Sequence, residues 1–103
     1  MTTFRLDLQE SLLTVHYDPN LPAENDQIVK DVTQQLAQLS KQGLLIGGEL
    51  LKITGKQTIP LSYVIAHHVG HLYGAIAVFD PKLQRYVVAI THSPNYLLGD
   101  CLP

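Results

Sequence analysis

A run of five apolar residues at positions 75–79 (Ala-Ile-Ala-Val-Phe) constrains the fold of this chain more than any other segment. The run has the length of a strand, but it lacks the alternating polar residues of a half-exposed strand. Gly74 precedes it, and Asp80 and Pro81 end it. A continuous apolar strand is typical of one that is buried on both faces. We therefore expect this strand to lie inside a sheet, with Asp80 at its exposed carboxyl end.

The first half of the chain predicts a hairpin followed by a helix. Residues 3–9 and 11–17 are rich in strand-forming residues and are separated by Glu10. Pro22 then opens a helix, and Gly43 has the position of the residue that follows a helix end. Apolar residues recur within it at three- and four-residue steps and form one stripe: Ile28, Val29, Val32, Leu36 and Leu39. This pattern indicates a surface helix, and its Gln-rich remainder is a solvated face.

The second half predicts a strand, a helix and two further strands. Residues 50–54 form a short strand, and Thr58 caps a helix that has Pro60 in its first turn. Residues 81–84 turn the chain after the buried strand, so that residues 85–91 form a strand antiparallel to it. The resulting order, β-β-α-β-α-β-β, implies an α/β fold, in which a small mixed sheet is joined to two crossover helices.

Composition narrows the class of protein. The chain has 103 residues, of which 46% are hydrophobic and 16% charged. It reads as a single domain over residues 1–103, apolar enough to suggest a buried interface. The net charge of −2 does not favour general binding of nucleic acid. Residues 51–103, however, carry four basic side chains and only two acidic ones. That half is therefore the better candidate for binding an anion.

Two further observations set the expected cellular setting. The single cysteine, Cys101, excludes an internal disulfide and a cysteine-based zinc cluster. No N-terminal basic and apolar signal is present, and no apolar run approaches about 20 residues. We therefore expect a cytoplasmic protein with no membrane partner.

Polar groups lie at the ends of two predicted strands, where ligands gather in α/β sheets. Gly55 allows the backbone to approach an anion, and Lys56 adds charge; a plain turn is the alternative. Asp80 follows five apolar residues, so its carboxylate needs a partner or solvent. Because Pro81 follows, Asp80 also suits the organisation of a turn. The ammonium group of Lys82 has the charge to neutralise a phosphate or the Asp80 carboxylate. An ordinary lysine in a turn is the alternative.

Four of the five histidines lie between residues 67 and 92. On a helical wheel at about 100° per residue, four apolar residues define the buried side: Leu61, Val64, Ile65 and Val69. His68 falls inside this arc and reads as a core or interface histidine. His67 and His71 fall at its edge, four residues apart. With this spacing the two side chains can share one ligand, which fits metal binding or paired acid–base catalysis. Two surface histidines with no common role are the alternative. His92 follows a predicted strand.

The ordered series of these segments resembles a known family. Residues 79–83 give its most specific part, an aromatic-Asp-Pro-basic-Leu element. The other matching residues are Gly55-Lys56, Ile59, Leu61, Ile65-Ala66-His67 with His71, residues 75–78, His92-Ser93 and Gly99-Asp100. They resemble the small CRISPR-associated ring nucleases of type III systems, called the "C-s-x-three" type or the third class of CRISPR ring nuclease. The resemblance covers roughly residues 44–100. Lys82 stands where that family often has Arg, so a bidentate phosphate contact becomes a point charge.

The resemblance implies a divergent CRISPR-associated Rossmann-like fold and a defined activity. It implies that the protein binds cyclic tetra-adenylate, or a short oligoadenylate RNA, and cleaves it with manganese. This reaction ends the second-messenger signal that activates CRISPR ancillary nucleases. The resemblance also implies a homodimer or homotetramer that sandwiches the ligand, with catalytic groups contributed from opposite sides.

The resemblance also implies roles for individual residues. Asp80, His71 and His67 are the expected catalytic residues, and Asp80 and His71 the expected manganese ligands. The expected ligand-binding residues are Gly55, Lys56, Lys82 and His92. Three other functions stay open: a manganese-dependent exonuclease acting on RNA 3′ ends, a non-catalytic sensor of cyclic oligoadenylate, and a structural dimerisation module. An enzyme needs Asp80, whereas a sensor needs only the Gly55-Lys56 loop and a basic rim.

Overall fold

The computed structural model describes residues 2–103 as a six-stranded mixed sheet with two helices packed on one of its faces. The elements are β1 (Phe4–Gln9), β2 (Leu12–Tyr17), α1 (Asn25–Lys41), β3 (Gly48–Gly55), α2 (Ile59–Val69), β4 (Tyr73–Asp80), β5 (Arg85–Thr91) and β6 (Cys101–Leu102). This confirms the predicted α/β class with its mixed sheet and two helices. The short strand β6 is an addition to the predicted order.

The strands lie side by side in chain order, β1-β2-β3-β4-β5-β6. The pairs β2–β3 and β3–β4 are parallel, and the other three pairs are antiparallel. Each parallel pair is joined by a helix. Such crossovers are right-handed, and both connections here move across the sheet in the same direction, from β2 to β3 and from β3 to β4. Both helices therefore lie on the same face of the sheet. The strand order has no reversal of the doubly wound kind, and the Rossmann-like relationship stays a prediction.

Helix α1 begins later than predicted. The sequence places its start at Pro22, whereas the helix begins at Asn25. The residues before it form a turn that hydrogen-bonds to Thr3, the residue before β1. The Asp18 N–H donates to the Thr3 carbonyl at 2.7 Å, and the Thr3 hydroxyl donates to the Leu21 carbonyl. These contacts delay the first helical turn, so the prediction from Pro22 is wrong by three residues.

The end of α1 is as predicted. Gly43 has a φ of 74°, a left-handed conformation that glycine adopts without strain. Its N–H donates to the Ser40 carbonyl, and the Leu44 N–H donates to the Leu39 carbonyl, both at 3.0 Å. These two bonds form a Schellman motif, which satisfies the last carbonyls of the helix.

The main core lies between the sheet and the two helices. The predicted stripe of α1 supplies Ile28, Val32 and Leu36, and α2 supplies Leu61, Ile65 and Val69. Each such side chain contributes about 1.5–3 kcal/mol on burial. The predicted inner strand is also confirmed, because Ala75 and Ala77 are fully buried on the opposite face from Ile76. Tyr96 and Leu102 pack against those alanines, so the C-terminal segment covers this part of the second face.

A side chain of α1 contacts the backbone of β1, the first strand of the sheet. The Gln35 Oε1 accepts from the Leu6 N–H, and the Gln35 Nε2 donates to the Phe4 carbonyl, both at 2.8 Å. The amide thus makes the pair of bonds that a neighbouring strand would make. This contact fixes the position of α1 relative to the sheet.

A polar cluster holds the start of the C-terminal segment. The Glu49 carboxylate accepts from the Ser93 hydroxyl, and its Oε1 accepts from the Asn95 Nδ2 at 3.2 Å. These bonds, with Ser93 the larger cause and Asn95 the smaller, lower the pKa of Glu49 from its usual value of 4.5. Within residues 2–103, neither helix has the length and apolar character that a bilayer span needs.

Candidate functional site

Three parallel strands end at one edge of the sheet, which we call the carboxyl edge. Its residues are Tyr17 of β2, Gly55 of β3 and Asp80 of β4. Ile53 pairs with Val78, so two further residues on each strand bring Gly55 beside Asp80. Neighbouring strands are about 4.8 Å apart. The structure therefore brings together the two segments that were grouped from the sequence, because parallel strands end at the same edge.

Asp80 organises the turn between β4 and β5. Its Oδ1 accepts from the Lys82 N–H at 2.8 Å and from the Leu83 N–H at 3.2 Å. The Gln84 N–H donates to the Asp80 carbonyl at 2.8 Å. The predicted turn is thus confirmed as an Asx turn. The second carboxylate oxygen, Oδ2, accepts no hydrogen bond from residues 2–103, so the same side chain has a free acceptor at the edge.

Lys82 does not neutralise Asp80. Within the described chain, the only contact within 4.0 Å between a carboxylate and a basic side chain joins Asp7 to the His16 ring, at 3.8 Å. The Lys82 side chain is exposed in the turn. This geometry fits the ordinary turn lysine that the sequence left open, and a phosphate contact by Lys82 stays a prediction.

Gly55 is required at its position by the neighbouring strand. Its φ of 111° is one that other residues rarely adopt, and a Cβ there would clash with the Val15 carbonyl of β2. This packing accounts for the glycine independently of any anion. Lys56 follows it, and its Nζ lies 4.5 Å from the centre of the Tyr17 ring. That distance is within the range of a cation–π contact.

His71 and His92 lie at the opposite edge of the sheet, which we call the amino edge. Helix α2 starts at the carboxyl edge and runs back, so its last residues lie where β4 begins. The rings of His71 and His92 stack there, with centroids 5.4 Å apart. The His92 Nε2 lies 3.2 Å from the Gly70 carbonyl. Since a carbonyl only accepts, Nε2 donates its hydrogen in this contact.

The prediction that His67 and His71 share one helical face is wrong. Helix α2 ends at Val69 with Gly70 as its C-cap, so His71 lies beyond the helix. His67 is exposed and instead borders an apolar groove of about 660 Å³ between α2 and the strands β4 and β5. His71 is paired with His92 across the amino edge. The spacing of four residues does not place the two side chains on one face, because the helix ends between them.

His68 lies between the two helices, as its place on the helical wheel predicted. It is partly buried, and its Nε2 lies 3.0 Å from the Ser40 Oγ of α1. This contact joins α1 to α2 and gives His68 a structural role.

Asp80 and His71 do not lie at one site within a single chain. Strand β4, which has eight residues, separates them. At roughly 3.3 Å of rise per residue, its two ends lie about 23 Å apart. No group of three or more metal-ligating side chains comes together in residues 2–103. One chain therefore does not combine Asp80 and His71 into a manganese site, contrary to the simplest reading of the expected ligand set.

Sequence reasoning missed Tyr17 as a member of the carboxyl edge. Its ring is 42% exposed and lines two cavities, one of about 450 Å³ and one of about 220 Å³. Arg5 and His16 border the larger cavity, and Lys56 borders the smaller. The rule that led to Gly55 and Asp80 would have found Tyr17 as well, since β2 is parallel to both strands.

Comparison with known proteins gives one match. The model of the family described as "CRISPR-associated protein (Cas_csx3)" matches residues 23–103, from just before α1 through β6. None of the curated proteins and none of the solved structures matches the chain. Every residue that the sequence predicted for the site, at either edge, lies within the matched range.

Proposed function

Because the chain belongs to the CRISPR-associated family Cas_csx3, we propose that it is a ring nuclease that binds cyclic tetra-adenylate and linearises it. This reaction would switch off type III CRISPR signalling. The observation that carries the proposal is the carboxyl edge, where Gly55 and Lys56 lie beside Asp80 and Lys82. Cations for phosphates and a carboxylate with a free oxygen therefore occur on one surface.

Binding would depend on the phosphates of the ring. Lys56 and Lys82 are exposed, and neither forms an ion pair with the described residues. A lysine ammonium binds a phosphate as a point charge. A cyclic ligand with repeated phosphates suits an assembly that repeats this edge by symmetry.

The proposed reaction is attack by a ribose 2′-hydroxyl on the adjacent phosphorus. The new O2′–P bond forms, the P–O5′ bond breaks, and the products are a 2′,3′-cyclic phosphate and a 5′-hydroxyl. Asp80 Oδ2 would accept the proton from O2′, and His71 would donate one to O5′. Lys82 would stabilise the charge on the phosphate oxygens, and the bound ring would hold O2′ in line with the leaving oxygen.

This chemistry requires two chains, because Asp80 and His71 lie at opposite edges of each chain. The carboxyl edge of one copy would face the amino edge of another, with the ring between them. Such a contact joins two different surfaces and is therefore heterologous. A heterologous contact closes as a ring of copies and not as an isologous dimer, so of the expected assemblies it suits the homotetramer, with groups contributed from opposite sides of the ligand.

Manganese is part of the expectation from the resemblance, and within residues 2–103 no group of three or more histidine, cysteine, aspartate or glutamate side chains comes together to hold it. A site containing both expected protein ligands would combine Asp80 of one copy with His71 of another. The proton transfers described above need only the protein side chains.

Mixing two inactive variants tests the proposal. Asp80→Asn and His71→Ala are each incubated with cyclic tetra-adenylate, with and without manganese, and the products are separated by chromatography. Each variant alone should lose about 10²-fold or more in rate. An equal mixture should recover part of the activity, because an Asp80 from one chain can face a His71 from the other. If the mixture stays as inactive as each variant, the two-chain site is wrong.

The wild-type protein separates the remaining functions in the same assay. Tight binding without turnover at any manganese concentration would favour the sensor. Shortening of linear RNA from its 3′ end, with the ring left intact, would favour the exonuclease. Light scattering that gives a monomer both with and without the ligand would contradict every version with a shared site.

A further inference from the structure

The larger of the two cavities beside Tyr17 has the size of a nucleotide subsite, and basic side chains border both cavities. The larger, of about 450 Å³, is within the range of about 300–1,000 Å³ that is usual for ligand sites. It is bordered by Arg5 and His16 of the first hairpin and by the acidic Asp18, together with Tyr17. The smaller cavity lies on the other side of Tyr17 and is bordered by Lys56. One aromatic ring thus stands between basic groups from three strand ends.

The ring of Tyr17 is held in place by the protein. Its centroid lies 5.1 Å from that of Phe4, and the two planes are tilted by 34°. Phe4 is only 3% exposed and belongs to the core. A ring that is backed by the core and partly open to solvent loses little conformational freedom when a flat ligand stacks on it.

The charges around the ring are arranged for a phosphate. Arg5 is exposed and forms no ion pair with the described residues, and Lys56 Nζ lies 4.5 Å from the ring centre. A second tyrosine–lysine pair occurs in β5 and β3, where Lys52 Nζ lies 5.1 Å from the Tyr86 ring. There the ammonium also donates to the Pro103 carbonyl at 2.7 Å. Only the Tyr17 pair therefore combines an open ring with a cation that has no carbonyl partner.

We propose that Tyr17 is a base-stacking residue, and that Tyr17, Lys56 and Arg5 form a subsite for one nucleotide of the oligoadenylate ligand. The base stacks on the exposed part of the Tyr17 ring, and the flanking phosphates contact Lys56 and Arg5. The subsite rests on the proposed function, because it adjoins the phosphate-binding loop at Gly55. It extends that function by naming where a base, and not only a phosphate, is held. Stacking on an aromatic ring tolerates any base, so this contact supplies affinity more than sequence selectivity.

Fluorescence anisotropy tests the subsite with linear tetra-adenylate that carries a 3′-fluorescein, in a buffer with chelator so that the RNA stays intact. Tyr17→Leu removes the aromatic face, and we expect the Kd to rise about 5- to 150-fold. Tyr17→Phe keeps the ring and should bind nearly as the wild type does. Tyr63→Leu is the matched control, because Tyr63 is 75% exposed on α2 and belongs to no part of the subsite. Equal Kd values for Tyr17→Leu and the wild type would overturn the proposal, as would no binding by the wild type.

A second measurement covers the case in which Tyr17→Leu does not fold. The chain has five tyrosines and no tryptophan, so its intrinsic fluorescence reports on tyrosine alone. Unlabelled linear tetra-adenylate should quench the wild type more than Tyr17→Phe, and equal quenching would again overturn the proposal. Both readouts are independent of ring cleavage. If cyclic tetra-adenylate is not cleaved, the proposed function fails, while these titrations still decide the role of Tyr17.

Discussion

The imidazole ring of His71 stacks on that of His92, with ring centroids 5.4 Å apart and planes 23° apart. The His92 Nε2 bonds to the carbonyl of Gly70, the residue before His71. His92 therefore positions the turn that carries His71, in addition to any contact of its own with a ligand.

Two substitutions of His92 should distinguish the effect of ring stacking from the effect of the hydrogen bond to Gly70. His92→Phe retains a ring for His71 and loses the bond to Gly70, whereas His92→Ala loses both. We expect cleavage of cyclic tetra-adenylate to fall in the order wild type, His92→Phe, His92→Ala. The second loss should reach up to roughly 100-fold, since displacement of a catalytic group by about 1 Å has that effect. Equal rates for both variants would mean that stacking has no part in positioning His71.

Asp80 should show two separable roles. Asp80→Asn keeps an Oδ1 that can accept from the Lys82 and Leu83 N–H groups, whereas Asp80→Ala loses these bonds. Each bond contributes about 0.5–1.5 kcal/mol. We therefore expect Asp80→Ala, but not Asp80→Asn, to lower the free energy of unfolding, as measured by urea denaturation. Both should lose about 10²-fold or more in cleavage. Asp80→Asn that cleaves at the wild-type rate would rule out a chemical role for the carboxylate.

His68 should affect stability more than activity. Its bond to Ser40 joins α1 to α2, so His68→Ala should cost about 0.5–1.5 kcal/mol of unfolding free energy. Ser40→Ala is the matched change. A double-mutant cycle by urea denaturation should give a coupling energy of about the same size, since the two residues are in contact. Additive losses in the double variant would show that the two side chains act independently.

Gly55 and Gly99 form a matched pair for backbone strain. Both have positive φ, at 111° and 89°, but only at Gly55 would a Cβ meet other atoms. Gly99→Ala should therefore cost about 1–2 kcal/mol from conformation alone. Gly55→Ala should cost clearly more, because the new methyl group clashes with the Val15 carbonyl and must displace β2 from β3. Thermal denaturation of the two variants side by side measures the difference, and similar losses would contradict the clash.

The bonds to Glu49 predict a dependence of stability on pH. Because the folded-state pKa is lower than the usual 4.5, the unfolded chain binds more protons as the pH falls through this range. The contribution of Glu49 is therefore present above pH 4.5 and is lost as the pH falls through the folded pKa. Ser93→Ala removes the larger cause of the shift. Between about pH 6 and about pH 3, the wild type should lose more of its thermal stability than this variant does. The same loss in both would show that the Ser93 bond does not couple to protonation.

The sequence predicts most of the fold because the local signals agree with one another. The inner strand at residues 75–79, the cap at Thr58 and the glycine at position 43 each have a physical cause that is local in the chain. The start of α1 was misplaced because residues 18–21 form a turn that is bonded to Thr3, and this tertiary contact precedes the helix. No local pattern reports such a contact.

The candidate site was predictable only in part. Gly55 and Asp80 were grouped correctly because both follow parallel strands. The sequence did not reveal that Asp80 and His71 lie at opposite ends of β4 within one chain, although the alternation of strand and helix already implies that a helix end lies at the amino edge. The stacking of His71 on His92 joins residues that are distant in the chain, and spacing cannot reveal it. The catalytic and binding roles of these residues stay predictions.

The Gln35 amide also limits how copies of this protein can associate. It occupies backbone groups of Leu6 and Phe4 that an added strand would use, so β1 is a poor template for intermolecular β-pairing. At the other end of the sheet, β6 has two residues and offers few groups for such pairing. The sheet is thus protected against growth at both sides. Copies can still meet through other surfaces, among them the strand ends, on which the proposed ring would be held.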